Sequence, residues 1–177
     1  MSSSKYLVWL DSEWTGLDPQ QHLFLELATI VTDFDLKILA EGPNLIIHRS
    51  QSEIDLASDW VKEHSQDLLH QSISSSITDQ QAQEQTLQFL SRYLQPPASP
   101  LCGNSVHMDR LFLRFHFPQL HQFFHYRNID VSTIKELYRR WRPDSNDFTK
   151  SETHRALDDI KESIEELKFY RNQGFIG

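Results

Sequence analysis

The feature that most constrains this chain is a short apolar run ending in acid: Tyr6-Leu-Val-Trp-Leu10, then Asp11-Ser-Glu13, then a turn at Gly16 and Pro19. Such a run reads as a strand buried on both faces, so it belongs inside a sheet. Alternate side chains on a strand share a face, which puts Asp11 and Glu13 on the same one. Two carboxylates at the end of a central strand are costly unless something neutralises them. A pair of hard divalent cations, which prefer oxygen ligands, would do so.

The rest of the chain supplies the frame. Residues 23–32 and 36–48 read as further strands, with Asp33-Phe-Asp35 as the turn between them and the Asp-x-Glu strand at or near the centre. Residues 51–72 read as one or two short helices, with Ser58 as an N-cap. A firmer helix starts at Thr78 or Asp79 and stops before Pro96-Pro97. A short strand at Leu101 to Ser105 leads to a helix over 108–117, and Pro118 opens a new turn. A strand over 126–131 precedes a helix through Ile134, Leu137 and Trp141, then a loop over 143–150. The last helix is expected over 153–170, with Leu157, Ile160, Ile164 and Leu167 as its core stripe. Strands first, then helices alternating with strands, predict an α/β fold with a mixed central sheet flanked by helices, in one domain over residues 1–177.

Charge narrows the partners. With 25 acids against 17 bases the net charge is −8. A protein that holds long nucleic acid by its backbone usually shows a basic surface. A phosphate-bearing substrate is therefore expected to be short, held by bound cations and a few placed Arg and Lys side chains. No apolar run reaches the length of a membrane span. Met1-Ser-Ser-Ser-Lys5 lacks the apolar core of a secretory signal. The single cysteine, Cys102, suits a reducing cytoplasm. Nine histidines invite a zinc reading, but their spacing gives no closed zinc site.

Three further residues join the first acid pair. Asp109 falls in the first turn of a helix, where the helix dipole favours a carboxylate. His154 and Asp158, four residues apart, would share a helix face. Asp159 is read as solvated or supporting.

These residues together carry a resemblance. Asp11-Ser-Glu13 with Thr15-Gly-Leu-Asp18, Cys102-Gly-Asn-Ser105 with Asp109-Arg110, and His154-x-x-x-Asp158 resemble the DEDDh exonucleases. Ile30-Val-Thr-Asp33, Ile38-Leu-Ala-Glu-Gly-Pro43, His125-Tyr-Arg127 and Ile129-Asp-Val-Ser-Thr133 are similar to the oligoribonuclease family within them. The resemblance covers nearly the whole chain. It implies a ribonuclease-H-like fold and a homodimeric 3′→5′ exoribonuclease that degrades very short single-stranded RNA to 5′-mononucleotides. It implies two divalent cations, Mg²⁺ or Mn²⁺, with Asp11, Glu13, Asp109 and Asp158 as ligands and His154 as general base. By the same resemblance Leu17 wedges between two bases, and Ser105, Arg127 and Ser132 cap a 5′ phosphate. Tyr126 reaches the partner's site. Ser12, Trp14, Val106-His107-Met108 and Asn128 depart from the family pattern; Trp14, beside the site, is expected to bear on base stacking.

The chemistry is consistent with these types. Two cations can hold the attacking water and the leaving 3′ oxygen of a phosphodiester together. Histidine titrates near neutrality and suits a base at physiological pH. Two other readings compete: an exonuclease trimming structured RNA or DNA ends, which the acidic charge disfavours, and a non-catalytic binding domain, which loss of one acid or the histidine would mark. All five are present.

Overall fold

A computed structural model describes residues 5–150 and 155–175. Its strands are β1 (Leu7–Trp14), β2 (Phe24–Thr32), β3 (Ile38–Glu41), β4 (Leu45–Ile46), β5 (Leu101–Gly103) and β6 (Asn128–Asp130). They form one mixed sheet in the order β3-β2-β1-β5-β6, with β4 also paired to β2. β2 runs antiparallel to β1, whereas β5 is parallel to β1 and β6 parallel to β5. The apolar run is thus central, and it has to be, because Val8, Trp9 and Leu10 are fully buried and need cover on both faces.

Helices supply that cover. They are α1 (Gln51–Ile54), α2 (Asp59–His64), α3 (Gln66–Ser74), α4 (Asp79–Leu90), α5 (His107–His116), α6 (Pro118–Phe123), α7 (Val131–Trp141) and α8 (Ala156–Asn172). On one face Val8 and Leu10 pack with Phe89 and Leu90 of α4, Phe112 of α5 and Leu120 of α6. On the other, Leu7, Trp9 and Ile30 pack with Val131 and Tyr138 of α7 and Ile160 and Ile164 of α8. A smaller cluster joins Leu25 to Ile54, Val61 and Leu68 of the three short helices. The two faces follow from the two-residue period of β1, odd positions one way and even positions the other.

Local sequence sets the boundaries. Ser58 caps α2 by accepting from the Val61 amide, and Thr78 closes a capping box with Gln81 at the start of α4. Pro118 stands at the first position of α6, where a missing N–H costs nothing. Gly103 lets β5 approach β1 closely: a Cβ there would lie 3.0 Å from the Leu10 carbonyl oxygen.

Three expectations change. The strand over 36–48 is two pieces, β3 and β4, broken at Gly42-Pro43, where proline supplies no ladder N–H. Residues 51–72 hold three helices rather than one or two, because Ser58 and Ser65 each start a new one. The described part of the last helix starts at Ala156 and runs to Asn172.

Arg49 ties the β2 end to α4. It is buried, donates Nε to the Phe24 carbonyl at 2.8 Å and grips the Asp79 carboxylate with both terminal nitrogens. Arg49→Met removes the fork and the hydrogen bond to that carbonyl. It is expected to cost about 1–3 kcal/mol in urea denaturation; an unchanged midpoint would contradict this role.

Candidate active site

Asp11 and Glu13 sit at the end of β1 on the α8 face, as their spacing requires. Asp159, in the first turn of α8, joins them: one carboxylate oxygen from each of the three lies within 4.8 Å of the others. All three side chains are half-buried. Asp109 approaches from the opposite face on α5, in that helix's first turn, and is itself buried. Ser12, the β1 residue that faces α5, donates its hydroxyl to Asp109 Oδ1 at 2.6 Å.

The electrostatics are those of crowded, dehydrated acids. Burial first, then the charges of Asp109, Glu13 and Asp159, push the Asp11 carboxyl well above the usual carboxylate range, and Lys150 partly opposes them. Burial, with Asp159 and Glu26 beside it, raises Glu13 to about 7, against the pull of Arg155. Burial raises Asp109 to about 8, although the Ser12 hydroxyl favours its charged form. An all-oxygen donor set with this much surplus negative charge fits hard divalent cations such as Mg²⁺ or Mn²⁺.

The acid that joins the pair is not the one the sequence suggests. Asp158 is exposed and stands outside the trio, and Asp159 occupies the place expected for it. The physical reason lies in the start of α8. Arg155 is its N-cap with extended backbone, so the face that α8 presents is set by the residues from Ala156 onward. What orients the helix is its buried stripe, Ala156, Ile160, Ser163, Ile164 and Leu167. Asp159 borders that stripe, and Asp158, about 100° away, faces solvent. His154 itself lies outside the described residues.

The expected substrate-binding residues are found in different states. Leu17, 72% exposed, tips a loop closed by Thr15 N–H to the Leu23 carbonyl and Leu23 N–H to the Thr15 hydroxyl, both 2.9 Å. The His22 ring packs against Gly16, and a Cβ there, 2.4 Å from Nε2, would push the ring aside. Ser105 and Ser132 meet: the Ser105 amide donates to Ser132 Oγ and to Asp130 Oδ1, each at 3.0 Å. Ser105 has φ 49°, a strained conformation for a residue with a Cβ, and Asp130 holds it there. Arg127 and Tyr126 are exposed, with the guanidinium 5.5 Å from the tyrosine ring centre.

Trp14 packs inward. Its ring stacks on Phe112, 4.5 Å between centres and 15° from parallel, because even positions of β1 face the α4–α6 side. The exposed indole tied to the Leu17 loop is Trp60, 52% exposed, on a helix whose N-cap Ser58 donates its amide to the Thr15 carbonyl at 2.8 Å. Sequence reading also passed over Glu26, Asp130 and Lys150. Glu26 carried a signal, a lone charge inside an otherwise uncharged strand; the loop residue Lys150 carried none.

Comparison with known proteins gives the family and the fold. The sequence profile of the exonuclease family RNase_T matches residues 8–167. The oligoribonuclease of Aeromonas hydrophila is 53% identical over 176 residues, covering 98% of this chain and 97% of that protein. The oligoribonuclease of Actinobacillus pleuropneumoniae is 52% identical over 168 residues, covering 93% and 91%. Exonuclease I from Methylocaldum szegediense shares the fold at a TM-score of 0.68 and 16% identity, over 95% of this chain and 40% of its own. E. coli exonuclease I, solved with a 5cy-dA13 oligonucleotide, gives 0.68 and 12% over the same shares. Among the described residues, no helix is long and apolar enough to cross a membrane.

The raised carboxyls set a sign for stability. Folding holds Glu13 and Asp109 protonated up to about 7 and about 8, against ordinary values of 4.5 and 3.8. The stability this carries is fully present below the ordinary values and is lost as pH rises through the raised ones. The melting temperature of metal-free protein should therefore fall between pH 5 and pH 8, and Mn²⁺ should raise it more at pH 8 than at pH 5. A metal-free melting temperature that climbs across this window would contradict the account.

Proposed function

We propose a specific activity on the premise that the chain belongs to the exonuclease family RNase_T and, within it, to the oligoribonucleases. It is a hydrolytic exonuclease. The activity we infer is removal of 5′-mononucleotides from the 3′ end of very short single-stranded RNA, dinucleotides included. The observation that carries this reading is the meeting of the Asp11, Glu13 and Asp159 carboxylates at the end of the central strand.

Asp11, Glu13, Asp109 and Asp159 are the residues that would hold two divalent cations, Mg²⁺ or Mn²⁺. Bound there, the cations supply the positive charge that an anionic phosphodiester and its departing 3′ oxygen require. The protein's own groups do the rest. His154, directly before the N-cap Arg155, takes the proton of the attacking water at Nδ1 or Nε2. The Ser12 hydroxyl commits Oδ1 of Asp109 and fixes its carboxylate. Leu17 separates the two bases, and half-exposed Trp60, whose ring stacks on His64, extends that stack to a base.

Short substrates follow from a closed end. Ser105, Ser132 and Arg127 form a cap for a terminal 5′ phosphate, with hydroxyls and one guanidinium able to bind it by charge-assisted hydrogen bonds. The chain acts as a single domain over 1–177 and as a homodimer, with exposed Tyr126 reaching the partner's site. The net charge of −8 favours small substrates over long nucleic acid. The lone buried Cys102 accords with work in the cytoplasm.

Product analysis tests this. On 5′-labelled RNAs of two to ten nucleotides with Mn²⁺, labelled product should shorten one nucleotide at a time from the 3′ end to the mononucleotide, with dinucleotide turned over fastest. Chelator should stop it. Internal cleavage, or unchanged turnover with chelator, would overturn the proposal.

A further inference from the structure

Glu26 is the most deeply buried acid near the site that the proposed chemistry leaves unused. It is fully buried on β2. The sheet register sets it directly opposite Glu13, so the two carboxyls are cross-strand neighbours on one face. A bare carboxylate there would be strongly disfavoured. Instead Arg155 reaches it from the start of α8. Nε lies 3.1 and 3.3 Å from the two carboxylate oxygens and Nη2 2.9 Å from one of them. The amide of Ala156, the first residue of α8, donates to Glu26 Oε2 at 3.3 Å. One buried carboxylate therefore accepts from both the N-cap side chain and the first backbone amide of the helix that carries Asp159.

We propose that Glu26 and Arg155 are a positioning pair: together they pin the first turn of α8 to the strand neighbour of Glu13, and so set how Asp159 meets Asp11 and Glu13. The inference rests on the metal-dependent reading above. A planar guanidinium on a carboxylate fixes orientation as well as distance, which a lysine point charge does not. The pair is also internally neutral. Beside Glu13 the negative charge of Glu26 and the positive charge of Arg155 act in opposite directions, so the anchor adds little net charge to the acids it organises. Asp159 follows four residues after Arg155, within one helical turn of the anchor. A slip there would pass directly to the carboxylate trio.

The test uses full-length protein and the variants Glu26→Gln, Arg155→Lys and Arg155→Gln, with the double variant Glu26→Gln/Arg155→Gln. Glu26→Gln keeps shape and one acceptor, and Arg155→Lys keeps charge without the fork. Mn²⁺ binding is read by electron paramagnetic resonance without substrate, folding by circular dichroism, and kcat and KM on a dinucleotide. Each single variant should stay folded, weaken Mn²⁺ binding and lower kcat by about 10–100-fold, and leave KM within about twofold. The double variant should be no worse than the poorer single, as for two groups acting as one unit. Folded variants that bind Mn²⁺ like the wild type would overturn the proposal, and so would losses that add in the double variant. Loss of fold in every single variant would also overturn it, since the pair would then hold the sheet together rather than the site. A wild type that binds Mn²⁺ yet hydrolyses no RNA would sink the functional reading alone, and the binding comparison would still judge the pair.

Discussion

Everything near the site answers to one constraint: several carboxylates are held together at the end of a buried strand, where each disfavours the ionisation of the others. Asp11 and Glu13 come from β1 itself, Asp159 from the helix layer on one face and Asp109 from the layer on the other. Both helix acids lie in first turns, where the partial positive charge of the helix end offsets some of the repulsion. Burial first, and the repulsion that remains after it, raise the carboxyls of Asp11, Glu13 and Asp109. The arrangement holds its acids ready for cations at a cost in stability, a pattern typical of functional sites.

The contrast with the other buried acids sharpens the point. Glu26 is gripped by Arg155. Glu166, equally buried, lies 3.5 Å from Lys135 and 3.3 Å from Lys150 and accepts from Asn104 and Tyr170. Lys150 links the two regions, since its charge also acts on Asp11. Structural acids here are paired within the protein. The Asp11–Glu13–Asp159 trio is crowded by like charge, with Lys150 and Arg155 only partly opposing it.

Much of this was legible in the sequence. The central strand followed from an apolar run too long to face water, and its acid pair from the period of two. The mixed sheet flanked by helices followed from element order, and the caps at Ser58 and Thr78 marked two helix starts. What escaped depends on packing. Asp158 and Asp159 are adjacent and chemically identical, and only the helix start and its buried stripe decide which faces the strand. Trp14 reads as a neighbour of the site until its stack on Phe112 fixes its direction. The partnership of Glu26 with Arg155 spans 129 residues and has no local pattern.

The choice between those two adjacent acids is also the most direct check on the account, because it separates geometry from motif spacing. Mn²⁺ binding to wild-type, Asp158→Asn and Asp159→Asn protein, measured by calorimetry in the absence of RNA, makes the comparison. The account predicts near wild-type binding for Asp158→Asn and loss of at least one site, or a large fall in affinity, for Asp159→Asn. Intact binding in Asp159→Asn together with loss in Asp158→Asn would contradict it.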